Sequence, residues 1–352
     1  MQNHRTSLDV TLVCGLRGSG KSAFARALVG ASTSDSVPAR WDPTSVDNVS
    51  APEFALELAD HLCDLADDGV SGRVVVELNP SVDAVEAVLV LEAVFAARDP
   101  ELVVTRLDDV VTMVDVSHVR THFFSEGVQN PEDYDTGESL ARQVEIATMV
   151  VINGGDNVPA QEYAQVVALV EKLNPLARLQ SGGEPMSTRD SVRGQTHLRP
   201  PAGQGMGWML ELSGRAGLPR TVSGISTVVF RDPRPFHPGR LAEVVDSCLG
   251  PDVVGTILRS RGLTRLASRP HTVGGWASTG RVLSLEPTSM SSWDPDSPLG
   301  QELVFVGLDL RPDALCAVLG AALLDGDELI AGPMEWATYF DAFPEWDVDH
   351  RH

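Results

Sequence analysis

Eight consecutive residues carry the sharpest chemical signal in this chain. Gly15-Leu16-Arg17-Gly18-Ser19-Gly20-Lys21-Ser22 fits G-x-x-x-x-G-K-[ST] at every fixed position. Glycines at 15, 18 and 20 let backbone N–H groups close around phosphate oxygens with no Cβ in the way, and Ser19 completes the loop. The spacing sets Lys21 against the β- and γ-phosphates of a nucleotide, where it serves both binding and catalysis. It also offers the Ser22 hydroxyl to Mg²⁺. A helix opening near Lys21 adds the positive end of its dipole. The pattern has this meaning only between a strand and a helix, and here the apolar VTLVC precedes it and KSAFARALVG follows.

Three further strand ends carry polar residues. Glu77 closes the run RVVVEL and is a candidate catalytic carboxylate, holding Mg²⁺ through water or orienting an attacking water; the alternative is a surface carboxylate at a turn. Asp115 closes VVTMVD, with a similar choice weighted towards capping the next helix. Asn153-Gly154-Gly155-Asp156 follows the run TMVVI, where guanine-specific enzymes place Asn-Lys-x-Asp. In such loops the Asp accepts hydrogen bonds from guanine N1 and its amino group, and the Asn ties the loop to the phosphate cradle. Asn153 and Asp156 are both present, while Gly154 stands in place of the lysine; a plain Asn/Gly turn is the alternative.

The elements that must position these residues are legible as a rhythm. Four apolar runs, at 10–15, 73–78, 110–115 and 148–153, lack polar alternation and suit strands buried on both faces of a parallel sheet. Helical patterns lie between them at 21–30, 51–69, 81–99 and 139–147, with another at 166–175 ending on Asn174-Pro175. This predicts a doubly wound α/β domain over 1–180. Residues 181–224 are rich in Gly, Ser, Pro and Arg and read as a linker or mobile loop. From Ile225 strands and helices mix without the βα alternation, predicting a smaller α+β domain over 225–352, with short strands around STVVFRD, RLASRP, GGWAS, RVLSLEP and ELVFVGLDL.

Composition narrows the partners. The 352 residues hold 27 Lys+Arg against 49 Asp+Glu, a net charge of −22, which repels nucleic acid and anionic membranes. No run reaches the roughly 18 apolar residues of a membrane span, and the first residues lack a secretory pattern, so a cytoplasmic protein is expected. Cys14, Cys63, Cys248 and Cys316 form no CxxC pair, as expected in a reducing compartment. His118 and His122 stand at i and i+4 with no acid or Cys at a spacing that completes a metal site, and the His350-Arg-His352 tail reads as a frayed terminus.

Together these features resemble the CobW-like GTPases, P-loop proteins that include zinc and cobalt metallochaperones. The likeness rests on GLRGSGKS, VVVEL, VVTMVDVSH, QVEIATMVVIN before the NGGD loop, and KLNPLA. In the second half it continues in RDPRPFHPGRL, TILRSRGLTRLASRP, QELVFVGLDL and EWATYFDAFPEWD. It implies a first domain that binds GTP with Mg²⁺ and hydrolyses it slowly as a switch in zinc homeostasis, and a second domain that contacts a protein partner. Three departures mark this chain. The family's Cys-x-Cys-Cys between phosphate loop and glutamate is absent, leaving only Cys63 there, so a thiolate zinc site is not expected. Leu78-Asn79-Pro80 follows the glutamate, where the family has small residues and glycine. The base-reading lysine is gone. The alternative that the likeness implies is a partner-recruiting protein with a vestigial nucleotide site, similar to actinobacterial members associated with zinc starvation and ribosome hibernation.

Overall fold

Runs of Val, Ile, Leu and Met too apolar for an exposed sheet become the central strands of the first half. The computed structural model describes residues 7–30, 51–98, 103–125, 131–182, 206–217 and 221–346. In chain order these give β1 (Ser7–Gly15), α1 (Lys21–Gly30), α2 (Ala51–Asp67), β2 (Gly72–Glu77), α3 (Ala84–Ala97), β3 (Val104–Asp115), α4 (Val116–Phe123), α5 (Pro131–Ile146), β4 (Met149–Asn153), α6 (Ala160–Leu173) and β5 (Arg178–Ser181). The five strands form one sheet in the order β2-β1-β3-β4-β5, every pairing parallel. Leu8, Val10 and Leu12 pack against Phe54, Leu58 and Leu62 of α2 and Val88 and Leu91 of α3. Val13, Val111, Met113 and Val151 pack with Ala25 and Leu28 of α1. Helices thus bury apolar surface on β1 and its neighbours in two separate clusters, as a doubly wound sheet requires.

Two features depart from the sequence expectation. Helix α5 begins at Pro131, well before the apolar stripe that opens at Ser139, because its first two turns are polar. Strand β5 is an added edge, Arg-Leu-Gln-Ser, exposed or half-buried along its length and so without an apolar run to announce it. At the end of α6 the Asn174 side chain donates to the carbonyls of Val144 (2.8 Å) and Ala147 (2.9 Å) and accepts from Ala177 N (3.1 Å).

The described residues fall into two compact units. One takes in the chain up to Val119 with Ser139–Tyr163 and Leu173–Met206; the other takes in Arg120–Glu138, Ala164–Lys172 and Gly207 onwards. Of the segment expected as a linker, 183–205 and 218–220 lie outside the described residues, as does the His350–His352 tail. The second unit continues with α7 (Gly207–Leu212), β6 (Thr221–Val222), β7 (Ile225–Asp232), α8 (Pro238–Ser247), α9 (Pro251–Val254), β8 (Thr256–Thr264), β9 (Thr272–Thr279), β10 (Val282–Ser291), β11 (Gln301–Leu308), α10 (Pro312–Ala321), α11 (Gly326–Ala331) and α12 (Pro333–Trp336). Its six strands form an antiparallel sheet ordered β10-β9-β8-β11-β7-β6.

Phe230, Phe236, Trp276 and Phe305 fill the core of this unit against Leu241 of α8 and Leu315 and Leu319 of α10. Trp276 meets Phe305 edge-on at 6.0 Å and donates its indole N–H to Ser260 Oγ at 2.7 Å. His237 caps α8, its Nδ1 accepting from Gly239 N (3.2 Å) and Arg240 N (3.4 Å), and its ring stacks on Tyr339 at 4.7 Å. The strand expected around RLASRP lies earlier, at β8; Arg259, Arg261 and Gly262 interrupt the apolar pattern there, and Leu266 and Ala267 are buried in the turn that follows.

Arg259 explains its own interruption. It is 1% exposed and forks onto the Glu138 carboxylate, with Nη2 to Oε1 at 3.2 Å and a second, shorter contact to Oε2. Its Nη1 also donates to Thr279 Oγ1 at 2.8 Å, and Arg261 approaches Glu138 at 3.6 Å. Burial pushes the Glu138 carboxyl up, but the Arg259 charge and hydrogen bonds, with Arg261 and Thr279, outweigh it and hold it below the ordinary carboxylate range. No helix among the described residues is long and apolar enough to cross a membrane.

Candidate functional site

The carboxyl end of β1 turns directly into the glycine-rich loop, and α1 opens at Lys21. β1 lies between β2 and β3, where the strand order reverses direction, the place at which an open parallel sheet leaves a crevice. Gly15, Gly18 and Gly20 have φ of 143°, 84° and 95°, in the region that L side chains rarely adopt. A Cβ at Gly15 would fall 2.6 Å from Met113 O, and one at Gly20 would fall 2.8 Å from Asn153 Nδ2. The loop's shape thus depends on glycine for backbone angle and for space.

Lys21 is 7% exposed and folds back into this loop, its ammonium donating to Gly15 O at 2.6 Å and Leu78 O at 3.1 Å. Burial pushes its pKa below the ordinary lysine range, while Cys14 and Glu77 pull the other way. Burial pushes the Cys14 thiol up to about 12, so it is uncharged at neutral pH. Ser22 Oγ donates to Glu77 Oε1 at 2.5 Å across 55 residues of sequence. Asn153 Nδ2 donates to Ser19 O at 2.7 Å, tying the end of β4 to the phosphate loop. A cleft of about 420 Å³ opens here, lined by Leu16, Gly18, Lys21, Ser22, Glu77 and Asn79.

The predicted residues therefore assemble in part. Gly15, Gly18, Ser19, Gly20, Lys21, Ser22, Glu77 and Asn153 meet within one hydrogen-bonded cluster of the first unit. Asp156 is exposed on a short 3₁₀ turn, Gly155–Asn157, and hydrogen bonds with the cluster are absent from its described contacts. Gly154, where guanine-reading loops carry lysine, has φ 79°. Asp115 Oδ1 accepts Ser117 N at 2.8 Å at the head of α4, the capping role. Sequence reading missed Gly182, which follows β5: a Cβ there would fall 1.6 Å from Asn153 Oδ1. The signal was the Ser-Gly-Gly run, read as linker.

The donor set suits a hard cation and a polyphosphate. Ser22 Oγ and Glu77 Oε1 are oxygen donors 2.5 Å apart at the mouth of the loop, the ligand type Mg²⁺ selects. Ser19 Oγ is buried with no hydrogen-bond partner among the described residues, a polar group built into the cradle and left unsatisfied. For other metals the donors are thin: among the described residues no group of three or more His, Cys, Asp or Glu is placed to hold an ion. Cys63 is buried within α2, and Cys14 within β1.

Residues 57–180 match the nucleotide-binding domain shared by CobW, HypB and UreG, and residues 225–323 match the C-terminal domain of the cobalamin synthesis protein CobW. The chain carries a CobW/HypB/UreG nucleotide-binding domain and a CobW C-terminal domain. Its CobW-like C-terminal match spans β7 through α10. The protein is 28% identical over 269 residues to a zinc-regulated GTPase metalloprotein activator of Dictyostelium discoideum, covering 67% of this chain and only 56% of that relative. It is also 28% identical over 314 residues to a protein named as a zinc chaperone of Mycobacterium tuberculosis, covering 80% of this chain and 74% of the relative. The crystal structure of the Zn(II)-bound YjiA GTPase from E. coli aligns over 90% of this chain and 99% of that one, at 16% identity and a TM-score of 0.38.

Proposed function

We propose that this CobW-like protein binds GTP with Mg²⁺ in the cleft at the end of β1, hydrolyses it slowly, and acts as a switch in zinc homeostasis without holding zinc on thiolates of its own. The observation that carries this reading is the meeting of Ser22 and Glu77 at 2.5 Å beside a glycine loop that already encloses Lys21. Mg²⁺ would be held at Ser22 and Glu77 and would supply neutralisation of phosphate charge. Loop amides bind phosphate oxygens, and Lys21 supplies the N–H that its two carbonyl partners leave over. Ser22 holds the cation, Glu77 orients a water or shares the cation through one, and Asp156 reads the guanine edge while Asn153 keeps that loop against the cradle. Phosphoryl transfer of this kind is positioning plus electrostatics, so a chain with Pro80 in the loop after Glu77 binds well and turns over slowly.

The zinc connection rests on the names its relatives carry, and the output passes to a protein partner through the second unit. A second reading, recruitment of a partner in a zinc-starvation or ribosome-hibernation response with the nucleotide site a relic, is favoured by Pro80 and by Gly154 in place of lysine. Titration of Lys21→Ala with Mg·GTP separates them. The switch reading expects binding at least a hundredfold weaker than the parent (about 2.8 kcal/mol at about 1.4 per decade). Equal affinity in the parent and the variant overturns it.

A further inference from the structure

The closing stretch of the second unit has an unusual chemical character. From Asp325 to Trp346 it holds six acids, five aromatic residues and no Lys or Arg. It is fixed rather than loose. Arg240 pairs with Glu328 at 2.6 Å, and the Trp336 indole donates to Glu328 O at 2.6 Å. Arg269 donates to Asp341 Oδ2 (2.8 Å) and Phe343 O (3.1 Å) while lying over the Trp346 ring at 4.3 Å, and Trp346 Nε1 donates to Leu285 O at 2.9 Å. These contacts consume the nearby cations. They leave Asp327, Glu335 and Glu345 exposed, with no ion pair among the described residues.

Against this wall lies a groove of about 770 Å³, lined by Pro270, His271, Met334, Tyr339, Phe343 and Trp346 among others, a volume within the roughly 300–1,000 Å³ of binding clefts. Met334, which lines it, is 90% exposed, and its neighbours along the chain Ile330 and Phe340 are 86% and 81% exposed. Three large apolar groups so exposed within eleven residues, on a pinned backbone, mark an interaction surface rather than a scattering of surface hydrophobes. The charge selects the occupant. Uncompensated carboxylates repel nucleic acid and anionic lipid, and carboxylates and exposed aromatic faces both attract arginine and lysine.

We propose that this groove docks a basic segment of a partner protein, with a large apolar side chain seated against Met334 and Phe343 and Arg or Lys set against Glu335 and Glu345. The inference deepens the reading of the second unit as the partner-contacting half and needs no bound nucleotide, so its failure leaves the Lys21 test untouched. The preorganised wall lowers the ordering cost of binding on this side of the interface.

The test is selection of a phage-displayed library of random twelve-residue peptides on the full chain without nucleotide, counter-selected on a Met334→Ser/Phe340→Ser variant. Both side chains are at least four-fifths exposed, so that variant folds, which circular dichroism checks. Sequences that bind the parent and not the variant are expected to combine net positive charge with at least one large apolar residue. Their affinity is expected to fall at least tenfold in Glu335→Lys/Glu345→Lys and to hold in Glu57→Lys/Asp60→Lys, which changes net charge equally on the exposed face of α2. Selection of neutral or acidic peptides, no peptide that separates parent from variant, or equal loss in both lysine pairs overturns the proposal.

Discussion

Lys21 and Arg259 are two buried cations with opposite surroundings. Arg259 has a carboxylate fork from Glu138 and the Thr279 hydroxyl, so its charge is neutralised inside the second unit. Lys21 has two backbone carbonyls, and burial lowers its pKa despite Glu77 nearby. A buried charge is tolerated when paired, and costs free energy when only dipoles solvate it. The first arrangement is complete and holds a fold together. The second has only carbonyl partners, and under the proposed function an anion completes it; that is the difference expected between a structural and a functional buried cation.

The largest effect is expected where the complete pair is broken. Arg259→Met leaves the half-buried Glu138 with only Arg261 and Thr279, and should cost about 3 kcal/mol in urea unfolding. Arg259→Met/Glu138→Leu should recover most of that loss, because no charge remains to be satisfied. If the single and double variants are equally unstable, the pair is not what stabilises this region.

Next comes the carboxylate beside the incomplete site. Glu77→Gln keeps the shape and hydrogen-bonding capacity towards Ser22 but removes the charge, and should slow GTP hydrolysis about a hundredfold while leaving nucleotide affinity within a few fold. Single-turnover phosphate release reads the rate. An unchanged rate would remove Glu77 from the chemistry and leave it as a partner of Ser22 alone.

The smallest effect is a pH dependence with a definite sign. Lys21 has a folded pKa below its unfolded value of 10.5, so the unfolded chain binds more protons between the two and parent stability rises with pH across that interval. Lys21→Ala without nucleotide should therefore equal or exceed the parent in stability near neutral pH, and lose that advantage as pH approaches 10.5. The Glu138 slope has the same sign but records a gain acquired rather than a cost relieved: its folded pKa is depressed, so its contribution is full above 4.5 and lost as pH falls through the folded value. A Lys21→Ala variant clearly less stable than the parent at neutral pH would class Lys21 with Arg259.

What the sequence disclosed follows the range of each interaction. The glycine loop is eight contiguous residues, and its place between β1 and α1 was legible from spacing. The four central strands were legible because burial on both faces leaves continuous apolar runs. Edge strand β5 was not, since half-buried Arg-Leu-Gln-Ser has no such run, and neither were the polar first turns of α5. Glu138 and Arg259 lie 121 residues apart, and only the fold brings them together. Gly182 was hidden for the same reason: its lack of a side chain matters because of Asn153, 29 positions earlier in the chain. Asp115 turned on a local contact, and the capping alternative is what its carboxylate does with Ser117.

Calorimetric titration of the full chain with Mg·GTP, and with Mg·ATP as its counterpart, tests the central claim most directly. Micromolar or tighter binding of GTP with ATP at least tenfold weaker, about 1.4 kcal/mol, is the expected result, with Asp156 selecting guanine in the absence of the lysine. Binding of neither nucleotide, or of ATP as tightly as GTP, would contradict it.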